Sequence, residues 1–159
     1  METLMVVGID PSIAEKSPLD LSGGQKRRIA IAGILAIDPK VLVLDEPTAG
    51  LDPQGSKSMM QLFTQLNRQY EKTVLIVTHD MEHVLNYCDN VVVMQDGKCV
   101  THQTVKEFFN DGKLLHELNI KVPNVLRFKE SLAKGGLSLP EGISDLQTLA
   151  KAIAGRIKP

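Results

Sequence analysis

Apolar positions alternate along this chain between two spacings, and the alternation predicts most of its elements. Residues 29–37 are apolar or small throughout, and a hydroxyl residue and two glycines, Ser22-Gly23-Gly24, stand just before them. Serine at that place is a helix N-cap, because its side-chain oxygen accepts a bond from an otherwise orphan backbone N–H. The helix is expected to end near Ile37, since Asp38-Pro39 follows and proline cannot continue it. Val41-Leu42-Val43-Leu44 has no polar alternation, which predicts a strand buried on both faces. Asp52-Pro53 opens a second helix, with proline at its first position and Met59, Met60, Leu62, Phe63 and Leu66 on its inner side, running to about Tyr70.

A second apolar strand is predicted over 73–78 and a short helix over 81–87. Segments 91–94 and 98–101 flank Asp96-Gly97, a two-residue hairpin link. A helical tail spans 104–110. Strands alternating with helices predict an α/β fold, a parallel sheet covered by helices on both faces. From Asp111 the texture changes. Leu114, Leu115 and Leu118 make one amphipathic set, 125–133 another, and a last helix is expected from Ser144 to about Ile157, with loops at Gly135-Gly136 and at Pro140-Glu141-Gly142. This predicts a small helical appendage over 111–159, after a first domain over 1–110.

The bulk numbers exclude several classes of function. The chain has 159 residues and a net charge of -1, so no global basic field points to nucleic acid as a partner. Cys88 and Cys99 lack CxxC spacing and read as free thiols of a reducing cytosol. The apolar run at 29–37 is far shorter than the roughly 20 residues of a membrane span, so membrane association is expected only through a partner.

Candidate chemistry lies at the helix start and the strand ends. Gly23 and Gly24 leave the first turn of their helix without side chains. Free N–H groups at a positive helix end suit an anion, most naturally a phosphate, although an ordinary capped helix has the same letters. Lys26-Arg27-Arg28 next to them is either a solvated face or a phosphate contact. Asp45 closes the first strand, where a carboxylate can hold Mg²⁺ together with phosphate oxygens. Glu46, one residue on, can face a water and act as general base. His79 closes the second strand and can hydrogen-bond a transferring phosphoryl group or the attacking water. His79-Asp80-Met81-Glu82-His83 also matches the H-x-x-E-H zinc-protease pattern. That chemistry needs both histidines on one face of one helix, and His79 is expected at a strand end, so no zinc site is expected.

Leu21-Ser22-Gly23-Gly24-Gln25, Val41 to Pro47, Ala49-Gly50-Leu51-Asp52 and Thr78-His79-Asp80, in this order, resemble the ATP-binding subunits of ABC transporters. The resemblance covers about residues 1–110 and implies a P-loop NTPase sheet. It implies that Ser22, Gly23, Gly24 and Gln25 form the signature motif, which contacts the γ-phosphate of ATP held by a second ATP-binding subunit. Asp45 would be the Walker B carboxylate for Mg²⁺, Glu46 the base, Asp52 part of the D-loop between subunits, and His79 the switch histidine. ATP and Mg²⁺ would be the cofactors. The partners would be a second ATPase and transmembrane subunits, placing the protein at the cytoplasmic face of the cell membrane.

The run from Ser17 to Ala36 is similar, more narrowly, to ATPases of energy-coupling factor importers, which take up vitamins or cobalt and nickel and carry a small C-terminal helical extension that helps hold the two ATPases together. Two alternatives are a non-transport ABC ATPase of DNA repair or translation and a non-catalytic fragment that completes a partner's site. No basic linker or sustained heptad supports the former. The family's G-x-x-x-x-G-K-[ST] phosphate loop, its adenine-stacking aromatic and its glutamine loop are not in this sequence. Only 20 residues precede Leu21, so Met1 is expected to be an internal position of a longer ATPase, with an apolar sheet edge and part of a sheet face left exposed. Thr101-His102-Gln103-Thr104 stands where the family has a Gly-Thr-Pro-like turn, which blurs the start of the helix that follows.

Overall fold

The computed structural model describes residues 2–137, 139–140, 143 and 145–155, which pack as two compact units, Met1–His79 and Asp80–Pro159. In the first unit, helix α1 (Glu2–Val6) and two short 3-10 turns, Pro11–Glu15 and Pro18–Asp20, lead to α2 (Gly23–Leu35). Asp10 and Ser17 cap the turns, each accepting the backbone N–H two residues on. Helix α2 stops two residues before the predicted end. Asp38 then turns the chain at φ +53°, a left-handed conformation that aspartate tolerates better than most residues.

Strand β1 (Val41–Asp45) follows, then α3 (Pro53–Arg68) and β2 (Thr73–Val77). The two strands pair in parallel, Val41 opposite Thr73 and Asp45 opposite Val77. Helix α3 packs on β2 and buries Met59, Met60, Leu62, Phe63 and Leu66, the inner side expected from their spacing.

Of the two expectations for β1 and β2, cover on both faces and a partly exposed sheet face, the structure shows the second. Leu42 is 3% exposed, but Val41, Val43, Leu75 and Val77 are 51%, 69%, 50% and 56% exposed. Side chains alternate across a strand, so covering one face buries every second residue only. No described residue covers the other face, which leaves an apolar surface of a kind that soluble monomers seldom expose. Replacing both Val43 and Leu75 by threonine is expected to lower the binding of a hydrophobic-surface dye such as ANS and to change stability by no more than about 0.5 kcal/mol each. Unchanged dye fluorescence would show that the face is covered in solution.

The second unit begins with α4 (Met81–Tyr87), then β3 (Asn90–Gln95) and β4 (Lys98–Thr104), an antiparallel hairpin. Asp96 and Gly97 have φ of +50° and +74°, the paired positive values of the tight turn that Asp-Gly predicts. The hairpin runs to Thr104, longer than predicted. Thr104 then caps α5 (Val105–Asn110) in a reciprocal box with Glu107, and hydrogen bonds from the Thr104 hydroxyl and backbone hold the Glu107 carboxyl below its usual range. The start of this helix is therefore well defined without a Gly-Thr-Pro turn.

Helices α6 (Gly112–Glu117), α7 (Asn124–Lys134) and α8 (Leu146–Ala154) follow. A core of Val125, Leu139, Ile143 and Leu149 joins α7 to α8, with Leu85 of α4 packed against it. Asp145 caps α8 by accepting the Thr148 N–H. Glu141, Gly142, Ser144 and Ile157, named in the predicted loop and last helix, lie outside the described residues. Among the described residues, no helix is long and apolar enough to cross a membrane.

Candidate functional site

Ser22 sits in extended backbone at the start of α2 and takes part in a full capping box. Its Oγ accepts from Gln25 N–H at 3.2 Å, and Gln25 Oε1 accepts from Ser22 N–H at 2.9 Å. The Gln25 side chain is thereby folded back over the helix start. Gly23 and Gly24 occupy the first two helical positions, whose N–H groups point out of the helix with no partner within it. A Cβ added at either glycine would meet nothing within 4 Å, so nothing in this chain requires a glycine there. Space is left for something outside it.

Two of the three cations beside this motif are bound within the unit. Arg27 Nη1 donates to the Ala49 carbonyl at 2.9 Å. Arg28 donates to the Val7 carbonyl and, through Nη2, to Ser58 Oγ at 2.7 Å. Gly8 approaches Arg28 so closely, at φ +68°, that a Cβ there would lie 3.2 Å from Nη1. The two arginines thus tie α2 to the loop after β1, to α3 and to the end of α1. Their partners are remote in sequence, and periodicity carries no signal of them.

The structure brings three of the predicted acid and base residues to one end of the parallel pair. Asp45 is the last residue of β1 and is exposed. Glu46 follows with its N–H bonded to the Val77 carbonyl at 2.9 Å and its backbone at φ +42°. A non-glycine residue in this region costs on the order of 1–3 kcal/mol and is held only where its surroundings determine it. Here the ladder bond to Val77 and the Ala49 N–H bonded to the Glu46 carbonyl at 3.1 Å hold it.

Glu46 Oε1 lies 2.6 Å from His79 Nδ1. With the carboxylate ionised, Nδ1–H is the donor, and the neutral ring then presents Nε2 as an acceptor. The histidine side chain is 90% exposed and the glutamate 35%, so an ion pair there adds little stability. What the arrangement provides is an acid–base pair, open to solvent, one residue beyond an exposed carboxylate. A single carboxylate suits Mg²⁺, which takes one or two carboxylates and fills its shell with water and phosphate oxygens.

Asp52 lies in the same unit but serves α3 as its N-cap, accepting Gly55 N–H at 2.8 Å. Between it and Glu46 the chain makes two turns, the second through Gly50 at φ +72°. His79 belongs to the residues after β2, whereas His83 is inside α4, where its ring meets Tyr87 edge-on at 6.1 Å. The two histidines of the H-x-x-E-H pattern thus do not share a helix, and Glu82 is bonded to the Asn124 N–H at 2.9 Å. Among the described residues no three His, Cys, Asp or Glu side chains converge as a metal site.

The parallel strand pair thus carries a carboxylate, a glutamate and a histidine at its carboxyl end, where open α/β sheets gather their ligands. A family model described as ABC transporter matches residues 1–49. The chain is 45% identical over 153 residues to the energy-coupling factor transporter ATP-binding protein EcfA2 of Geobacillus kaustophilus, covering 96% of this chain and 53% of that protein. It is 47% identical over 158 residues to the EcfA2 of Lactiplantibacillus plantarum, covering 99% and 54%. Among solved structures, CbiO1 of Clostridium perfringens, part of the ABC transporter complex cbiONQ, superposes with a TM-score of 0.64 at 40% identity over 81% of this chain and 51% of that one. A dimeric ATP-binding cassette bound to ADP and Pi gives 0.56 at 34% identity over 65% and 44%. The chain belongs to the ABC transporter ATP-binding family. It spans about half the length of the curated relatives it matches.

Proposed function

We propose that this chain carries one half of an ATP site for a partner and part of a second site of its own, within the ATPase of an energy-coupling factor importer. Residues 1–110 are the cassette portion in this reading, and 111–159 the helical appendage. The observation that carries it is the strand-end pair: Glu46, held at a positive φ, bonded to His79 one residue beyond Asp45. In a complete site Asp45 would hold Mg²⁺, Glu46 would orient and deprotonate the attacking water, and His79 would contact the phosphoryl group being transferred. Bound Mg²⁺ supplies charge neutralisation of the phosphates.

The uncovered N–H groups of Gly23 and Gly24 receive the γ-phosphate of ATP on a second ATP-binding subunit, with the Ser22 hydroxyl beside them. Asp52 and its loop lie at that junction. The second subunit and transmembrane importer subunits are the partners, and the chain works at the cytoplasmic face of the membrane. Vitamins, cobalt or nickel are the expected cargo, chosen by the membrane subunits.

No G-x-x-x-x-G-K-[ST] loop is present in this sequence to cradle the phosphates beside Asp45 and Glu46. The purified 159-residue chain is therefore expected to turn over ATP no faster than its Glu46→Gln variant, and to form an ATP-stabilised dimer when mixed with a full-length ATP-binding subunit. Hydrolysis assays and sedimentation with and without ATP check both halves. Glu46-dependent turnover by the chain alone overturns the first, and mixing that is indifferent to ATP overturns the second.

A further inference from the structure

Arg27 stands in the second turn of α2, four residues after Gly23 and so on the same face of the helix. Its Nη1 donates to the Ala49 carbonyl at 2.9 Å, across 22 positions of sequence. Ala49 belongs to two successive turns. Its own N–H bonds the Glu46 carbonyl at 3.1 Å and closes the first, and the Leu51 N–H, bonded to the Thr48 carbonyl at 3.2 Å, closes the second around it. The guanidinium therefore grips the middle of the loop that runs from Glu46 to the Asp52 cap of α3.

Glu46 needs a hold of this kind. Its φ of +42° is costly for a residue with a Cβ, and a loosened turn would relax it toward negative φ and swing its carboxylate away from His79. A hydrogen bond from a charged donor is among the stronger ones, and a guanidinium keeps its charge at every working pH.

We propose that Arg27 is a positioning residue for Glu46: through the Ala49 carbonyl it fixes the turn that keeps the glutamate in its left-handed conformation, and it ties that turn to the helix that begins at Gly23 and Gly24. It acts through Ala49 and not on phosphate or water. The functional meaning rests on the proposed roles of Glu46 and of the start of α2. The geometry itself does not. It lies wholly within the first unit, Met1–His79, and is measurable without nucleotide.

The test is made on the full chain by NMR. Amide exchange at Ala49 reports the turn. The ring Cε1–H resonance of His79 reports the Glu46 side chain, with its displacement in Glu46→Gln taken as the signature of a loosened pair. Arg27→Met keeps most of the alkyl stem, removes every donor and suits a helix, so α2 is expected to stay folded. In this variant Ala49 exchange is expected to rise about tenfold and the His79 resonance to move toward its Glu46→Gln position. Arg27→Gln, a good helix former with too short a side chain to reach Ala49, is expected to behave in the same way. Arg27→Lys keeps a charged donor on a long stem and is expected to return both signals toward the parent values. Lys26→Met removes a positive charge from the neighbouring position without touching the bond, and is expected to leave both signals where they are.

The proposal is overturned if Arg27→Met and Arg27→Gln leave the His79 resonance in place, because the grip on Ala49 would then not reach Glu46. It is overturned equally if Lys26→Met displaces both signals as far, since the effect would then be one of charge alone. Failure of ATP to stabilise the mixed dimer would overturn the proposed function and leave this result untouched.

Discussion

Gly24→Asp is expected to abolish ATP-dependent pairing with a full-length ATP-binding subunit and to leave the stability of this chain unchanged or slightly raised. Position 24 is the second residue of α2, and a Cβ there meets nothing within the chain. Glycine is also the poorest ordinary helix former, and an acidic residue in a first turn is favoured by the dipole. Within the chain every local effect of the substitution is therefore neutral or favourable. Between subunits it is not. A carboxylate brought to about 4 Å from a phosphate charge at an effective dielectric near 20 is repelled by about 4 kcal/mol. Even part of that repulsion weakens binding by about a hundredfold or more.

Gly24→Ala separates the two contributions. It is expected to raise helix stability by up to about 1 kcal/mol and to weaken pairing by steric cover alone. Urea unfolding of the chain and sedimentation of the mixture with ATP are the two measurements. A Gly24→Asp chain that pairs as tightly as the parent would show that the start of α2 does not face a phosphate.

Phe63→Ala is expected to remove most of the stability of the first unit at 25 °C. Phe63 is 2% exposed on the buried side of α3, among Met59, Met60, Leu62 and Leu66, all of them 4% exposed or less. Truncating a buried phenylalanine costs about 3–5 kcal/mol, through lost transfer energy and the cavity left behind. Whole domains are stable by only about 5–15 kcal/mol, and a unit of this size with one uncovered sheet face belongs at the low end. The loss reaches the site, because α3 backs β2 and begins at Asp52, and β2 holds the Glu46 N–H through Val77. Circular dichroism against urea measures it, with Val43→Thr on the exposed face as the control expected to unfold at the parent midpoint. Parent-like unfolding of Phe63→Ala would mean that α3 does not carry the core.

Particular residues show how much was legible beforehand. Asp96-Gly97 predicts a turn with two positive φ angles, because few other residue pairs adopt them cheaply, and that turn is present. Ser22 and Asp52 are predicted caps and act as caps, since a cap needs only residues within three positions. The order of the four motifs carried the family, and the strand-end placement of Asp45, Glu46 and His79 follows from the apolar runs before them. Val43 lies on the exposed part of the sheet. Its letters describe a strand suited to being covered on both faces, and cover depends on what else packs there.

The chain's letters alone determined most of its helices and strands, the caps at Ser22 and Asp52, and the kinds of group at each strand end, because these depend on neighbours a few residues apart. Tertiary structure alone decided three things. Glu46 and His79 meet at 2.6 Å because β1 and β2 pair in register. Arg27 and Arg28 hold α2 to its surroundings within this chain. Glu82, part of a pattern that suggests zinc, caps a helix 42 residues away. Each is a contact between residues distant in sequence, which side-chain spacing along one element does not encode.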